Sequence, residues 1–212
     1  APSALWAAPI KPDDASALLV IDVQNCFLPG GSLAVKDAEQ VVPIINRIAK
    51  GEPIIRAEGL MDGYVVRVPM VDVNAIGAGG GSIAWLDGAG GLRVGPHSAG
   101  SEPGPACYNT GGDDATVTDA SVVLGYVNPA NFAGGRLRLH PDLARKAIET
   151  KIAKPMKLSL EQAALGIHRV VNAQMAEGIR LVSIRQGHDP RRFALLPLGG
   201  AGPLHGCPLA ED

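Results

Sequence analysis

The stretch Ile76-Gly77-Ala78-Gly79-Gly80-Gly81-Ser82 constrains this chain more than any other. Glycine has no Cβ, so a backbone this bare reaches positive φ and lets another group approach closely. Successive N–H groups in such a loop form a concavity that suits an anion, above all a phosphate. A tight turn between two strands satisfies the same letters, so both readings stand at this point. An apolar, β-rich run, Tyr64 to Val73, delivers the chain to the loop. On the far side, Ile83 to Asp87 and Leu92 to Gly95 flank Gly88-Ala89-Gly90-Gly91, which predicts a β-hairpin.

The rest of the composition narrows the class. A chain of 212 residues that is 46% hydrophobic holds enough apolar material for one domain or two small ones. Its formal charge of −2 gives no general pull toward nucleic acid or an anionic membrane, so neither is expected as a partner. Cys26, Cys107 and Cys207 are odd in number and widely spaced, which fits reduced thiols and a cytoplasmic location better than a disulfide framework. No apolar run approaches the roughly 20 residues of a membrane span, and Ala1 to Pro12 lacks the pattern of a secretory signal.

Near the start, Ala17-Leu18-Leu19-Val20-Ile21-Asp22-Val23 is an apolar run containing one acid, the pattern of a parallel strand buried on both faces. Asp22 then falls at the carboxyl end, where open α/β sheets bind ligands. Asp37 to Lys50 predicts a helix with Val41, Ile44, Ile45 and Ile48 on one stripe. The words Leu18 to Asn25 with Phe27, then Pro29-Gly30-Gly31-Ser32-Leu33-Ala34-Val35, resemble the opening of the nicotinamidase/isochorismatase-like amidohydrolases. That resemblance covers residues 1–50 and implies a catalytic general base at Asp22. Neither Cys107 nor Cys207 lies in a context like that family's nucleophilic cysteine, and a base without its nucleophile does no acyl chemistry.

From Gly51 onward the wording changes. Val68-Pro69-Met70-Val71-Asp72, the glycine stretch with Ser82, Val94-Gly95-Pro96 with Ser98-Ala99-Gly100, Pro103-Gly104-Pro105-Ala106-Cys107-Tyr108, Thr116-Val117-Thr118-Asp119-Ala120 and Gly199-Gly200-Ala201-Gly202-Pro203-Leu204-His205 follow in order. Together they resemble the hydantoinase A/oxoprolinase family, which includes the ATP-binding subunits of acetone and acetophenone carboxylases. The resemblance implies an α/β chain carrying part of an actin-like (ASKHA) ATPase fold, led by a βα unit of isochorismatase-like sequence. It also implies ATP with Mg or Mn as cofactors, action on a cyclic amide or ketone carbonyl, and either a hydantoinase B-like second subunit or a homo-oligomer. The acidic D-x-G-G-T phosphate loops of that family are not present before Gly51. The chain therefore divides into an isochorismatase-like segment, 1–50, and a hydantoinase A/oxoprolinase-like segment, 51–212. An amidase using Asp22 and a folded chimeric fragment without activity are the alternative functions.

In the resemblance, Gly77, Gly79, Gly80, Gly81 and Ser82 frame the phosphate side of a nucleotide site, and Gly199, Gly200 and Ala201 the nucleoside side. Asp119 has two readings, a catalytic carboxylate near a metal-water cluster and a helix cap. Cys107, Asp119 and His205 also admit zinc, although no C-x-x-C or H-x-x-x-H spacing supports it. His97, His140, His168 and His188 read as surface or packing residues, and Arg191-Arg192 as a solvated turn. Pro141 to Ile152 predicts a helix stopped by Pro155. Ser159 and Gln162 have capping-box spacing ahead of a helix to Ile179, Leu181 to Ile184 reads as a strand, and Phe193 to Leu198 as another.

Overall fold

Alternation, capping residues and glycine turns account for most of the elements around the glycine stretch. The structure, a computed structural model, describes residues 19–20, 55–56, 59–61, 64–67, 70–71, 75–185 and 187–211. Short strands come first: β1 (Leu19–Val20), β2 (Ile55–Arg56), β3 (Gly59–Met61), β4 (Tyr64–Val66) and β5 (Met70–Val71). β3 pairs antiparallel with β4, and β2 with β5. The β-rich run from Tyr64 to Val73 thus supplies two strands with different partners. Asp22, Asp72 and the helix read over Asp37 to Lys50 lie outside the described residues.

The predicted hairpin forms between β6 (Ser82–Leu86) and β7 (Leu92–Ser98), with Ala84 opposite Val94 and a bulge between Ser82 and Ala84. Its turn is set by Asp87, whose carboxylate accepts from the N–H groups of Gly91 (2.8 Å) and Ala89 (3.1 Å) and pairs with Arg93 Nε (2.8 Å). Those donors hold Asp87 below its ordinary pKa, the Gly91 N–H foremost and then Arg93. Ile83 bridges to Thr116, and Ala84 N–H bonds to Ala115 O at 2.8 Å, so the hairpin is tied to the start of the next helix.

That helix, α1 (Val117–Val123), begins in a capping box. Thr116 Oγ1 accepts from Asp119 N–H, and the Asp119 carboxylate accepts from Thr116 N–H. Pro141 opens α2 (Pro141–Ile148) as expected. Pro155 does not stop it. A π turn over Glu149–Ala153 comes just before Pro155, and the helix makes one more turn, Lys154–Met156, before Lys157 adopts φ 55°. The wider turn relieves the clash a proline ring otherwise makes with the carbonyl four residues back.

Helix α3 (Leu160–Arg185) is the spine. Its predicted capping box is formed, Ser159 N–H to Gln162 Oε1 at 3.0 Å and Gln162 N–H to Ser159 Oγ at 3.1 Å. The strand read over Leu181 to Ile184 is instead the last part of this helix. Ser183 Oγ donates to Ile179 O at 2.7 Å, which accommodates its hydroxyl in helical geometry, and Leu181 and Ile184 are exposed. The core packs Ala163, Ala164, Ile167, Val171 and Met175 of α3 against Val117 and Ala120 of α1, Ile148 and Ile152, and Ala84 and Val94 of the hairpin. A second cluster joins Cys107, Tyr108, Val122, Leu139 and Ala144.

Only β8 (Pro197–Leu198) survives of the strand read over Phe193 to Leu198. It pairs in parallel with β1, Leu19 opposite Pro197, so the apolar run near the start of the chain does contribute a parallel strand. β8 runs into Gly199-Gly200-Ala201 and then α4 (Gly202–Glu211). Arg191 pairs with Asp189 in an exposed turn at 2.8 Å, as a solvated arginine should.

Candidate functional site

The first glycine loop is folded by its own serine. Ser82 Oγ accepts from Gly79 N–H (3.0 Å) and donates to Gly77 O (3.4 Å), while Ser82 N–H bonds to Gly79 O (3.1 Å). Gly77 takes φ 64°, which glycine adopts without strain. At Gly80 the carbonyl accepts two bonds from Thr118, from its N–H at 2.8 Å and its Oγ1 at 2.9 Å. The carbonyl of Gly79 likewise faces Ser82, and that of Gly81 accepts from Ala99 N–H at 2.9 Å. Because a trans peptide points its C=O and N–H in opposite directions, the N–H groups of Gly80 and Gly81 face away from these bonds. Neither has an acceptor among the described residues. Two successive bare N–H groups are the chemistry an anion needs.

The second loop comes to the same place. A Cβ built on Gly80 would lie 2.8 Å from Thr118 Oγ1 and 3.8 Å from the Cβ of Ala201. The loops that contain Gly77 to Gly81 and Gly199 to Ala201 therefore approach each other at Gly80, where Thr118 also lies. Gly200 faces open space and Gly199 takes φ 95°. Thr118 was not singled out in the sequence, although it lies within the shared wording. The signal was its place two residues after a threonine cap, where its hydroxyl and N–H both reach the preceding loop.

Asp119 has a fully buried carboxylate whose oxygens are already occupied. Oδ1 accepts from Cys107 N–H (2.8 Å); Oδ2 accepts from Thr116 Oγ1 (2.7 Å), Thr116 N–H (3.0 Å) and Ala106 N–H (3.3 Å). Of its two readings, the helix cap is the geometry observed. The Cys107 thiol is buried beside it, and burial first, then the negative charge of Asp119, push its pKa well above the thiol range. Such a thiol stays protonated and is a poor metal ligand. Cys207 is free and exposed.

His205 takes part in a different cluster. Its Nδ1 lies 2.6 Å from Asn172 Oδ1, and its ring stacks on His168 with centroids 5.2 Å apart. His168 Nε2 lies 3.0 Å from Ser121 Oγ, and Tyr126 meets the His168 ring edge-on at 5.1 Å. Burial, and then the neighbouring His205, pull the His168 pKa down to about 4; burial lowers that of His205. Cys107, Asp119 and His205 therefore do not assemble into the zinc set read from the sequence. No group of three His, Cys, Asp or Glu side chains placed to hold a metal occurs among the described residues. His168, read as a packing residue at a stripe edge, is buried but hydrogen-bonded, and Asn172 was not singled out at all.

The hydantoinase/oxoprolinase family pattern matches residues 45–212. The chain belongs to that family. It is 52% identical over 149 residues to the caprolactamase subunit alpha of Pseudomonas jessenii, covering 70% of this chain and 21% of that protein. It is 46% identical over 154 residues to the acetophenone carboxylase gamma subunit of Aromatoleum aromaticum, covering 72% and 21%. Among solved structures, the nucleotide-free structure of acetone carboxylase, described for ATP-dependent acetone carboxylation, superposes with a TM-score of 0.68 at 34% identity, covering 76% of this chain and 23% of that one. The chain thus spans about a fifth of the length of these hydantoinase/oxoprolinase relatives. The match starts at residue 45, inside the helix read over Asp37 to Lys50. The nicotinamidase-like wording, Leu18 to Val35, lies outside the span of that family match. No helix among the described residues is long and apolar enough to cross a membrane.

Proposed function

We propose that this chain forms part of the nucleotide site of an ATP-dependent enzyme of the hydantoinase/oxoprolinase/carboxylase type, one that acts on a cyclic amide or ketone carbonyl. The observation that carries the reading is the approach of the two glycine loops at Gly80 and Ala201, with the Gly80 and Gly81 N–H groups left without acceptors among the described residues. Gly80 and Gly81 lack the Cβ that would collide with Thr118 and Ser98, so the first loop packs closely and keeps its successive backbone N–H groups for phosphate oxygens, while Gly200 faces open space. Gly77, Gly79, Gly80 and Gly81 would face the phosphates, and Gly199, Gly200 and Ala201 the nucleoside. Ser82 acts indirectly, since its hydroxyl is spent shaping the loop. ATP would supply the phosphoryl group that activates a carbonyl oxygen. Magnesium would enter with the nucleotide, because Asp119 is committed to the helix cap.

The mixed helix and strand arrangement, similar to acetone carboxylase, is in keeping with part of an actin-like fold for residues 51–212, with the β1 region docked on it as an added strand. The relatives are named as alpha and gamma subunits, which supports a second subunit as partner. The test is thermal unfolding with millimolar Mg-ATP. A ligand at about 100 times its Kd stabilises the fold by about 2.7 kcal/mol, so the midpoint should rise by several degrees. An unchanged midpoint overturns the nucleotide reading.

A further inference from the structure

The approach of the glycine loops is backed by a closed circuit of side chains. Thr118, which holds Gly80 O, lies on α1 one turn before Ser121. Ser121 Oγ lies 2.9 Å from Val117 O, to which it donates, and we therefore assign the hydrogen of its contact with His168 to Nε2. The His168 ring stacks on His205. Asn172 Oδ1 is an acceptor, so His205 donates from Nδ1, and its Nε2 is left as a bare lone pair, buried and without a partner among the described residues. His205 itself sits one helical turn after Ala201, whose carbonyl accepts from Leu204 N–H at 3.0 Å to start α4. Ala201 then returns to Gly80. Each link crosses to another element: first loop to α1, α1 to α3, α3 to α4, and α4 back through the second loop.

A buried imidazole nitrogen with no partner needs a reason. Here the ring is held by its other nitrogen and by stacking. The face it offers to its surroundings is neutral, and its position is set from α3.

We propose that His205 and His168 are positioning residues that hold the Gly199–Ala201 loop against the Gly77–Gly81 loop, with His205 Nδ1–H to Asn172 as the decisive bond. This rests on the nucleotide reading for its consequence, since the spacing of the two loops would set the nucleotide's fit, but the mechanical claim stands on the circuit alone.

The experiment uses the full chain and its variants His205→Asn and His205→Leu. An Asn amide nitrogen occupies the place of Nδ1 and still donates to Asn172; leucine fills the volume and donates nothing. Hydrogen exchange of residues 76–82 and 199–204 should speed up about tenfold in His205→Leu, the scale of one lost buried hydrogen bond, and return to within about threefold of wild type in His205→Asn. Amides of the hairpin turn, 87–91, should not change. Mg-ATP affinity should follow the same order. In wild type, 15N spectra of the imidazoles should show His168 protonated at Nε2 and His205 at Nδ1, a readout that needs no variant to fold. Opposite tautomers, exchange in 76–82 untouched by His205→Leu, or an asparagine variant no better than the leucine one would each overturn the proposal. If wild type binds no Mg-ATP, the nucleotide reading falls while the exchange and tautomer results still decide the positioning role.

Discussion

Asp119 shows how one residue fixes several segments at once. Its carboxylate receives the N–H groups of Ala106 and Cys107 from one turn and the N–H and hydroxyl of Thr116 from the helix start. An asparagine there would turn an NH2 toward at least one of these donors and remove the charge. We expect Asp119→Asn to cost about 3 kcal/mol in urea unfolding, the scale of a lost buried, charge-assisted hydrogen bond. The same burial governs thiol chemistry: in the folded protein, DTNB followed by peptide mapping should modify Cys207 and spare Cys107 until denaturant is added. At Gly80 a new Cβ meets Thr118 Oγ1 at 2.8 Å. Gly80→Val should lower stability by about 1 to 3 kcal/mol through overpacking and abolish the Mg-ATP shift, both read from thermal melts with and without nucleotide.

Helix α3 connects these residues because it packs against α1, α2, β7 and α4. The box of Ser159 and Gln162 satisfies N–H groups at its first turn. Ser159→Ala should cost about 1 kcal/mol, measured by the urea midpoint, with α-helical circular dichroism otherwise kept. Its last part, Leu181 to Ile184, has β-branched and apolar letters that suit a strand. What decides for helix is continuity: the apolar stripe of α3 runs on from Val171 to Met175, and Gly178 receives Ile76, whose Cγ2 lies 2.8 Å from where a Cβ would sit. That contact seats the start of the first glycine loop on the helix. No local pattern in residues 181–184 announces it.

Across the whole molecule, the buried histidine pair makes stability depend on pH. His168 has an ordinary pKa of 6.5 when unfolded and about 4 in the fold. Above pH 6.5 neither state binds the proton. Between 6.5 and 4 the unfolded chain takes a proton that the native one refuses, so stability falls as pH falls through that window and levels off below it. The loss across the window is on the order of 3 kcal/mol for His168, and His205 adds in the same direction. Urea midpoints at pH 7.5, 6, 5 and 4.5 check it, and His168→Gln should flatten the curve. Asp87 and Asp189, held below their ordinary 3.8, titrate beneath this range.

What the sequence determined by itself is local. The hairpin around Gly88 to Gly91, the caps at Thr116 and Ser159, and the freedom of Gly77 to Gly81 depend on residues a few positions apart, whose chemistry is readable from order and spacing. The family wording pointed to two glycine loops with a common purpose. Only the tertiary structure decided that Gly80 lies beside Ala201, that Asp119 is filled by Ala106, Cys107 and Thr116 rather than open to a metal, and that His205 joins His168 and Asn172 instead of Cys107. Those partners are distant in sequence, and a hydrogen-bonding side chain takes whichever complementary group the packed helices bring within 3 Å, which no spacing along the chain records.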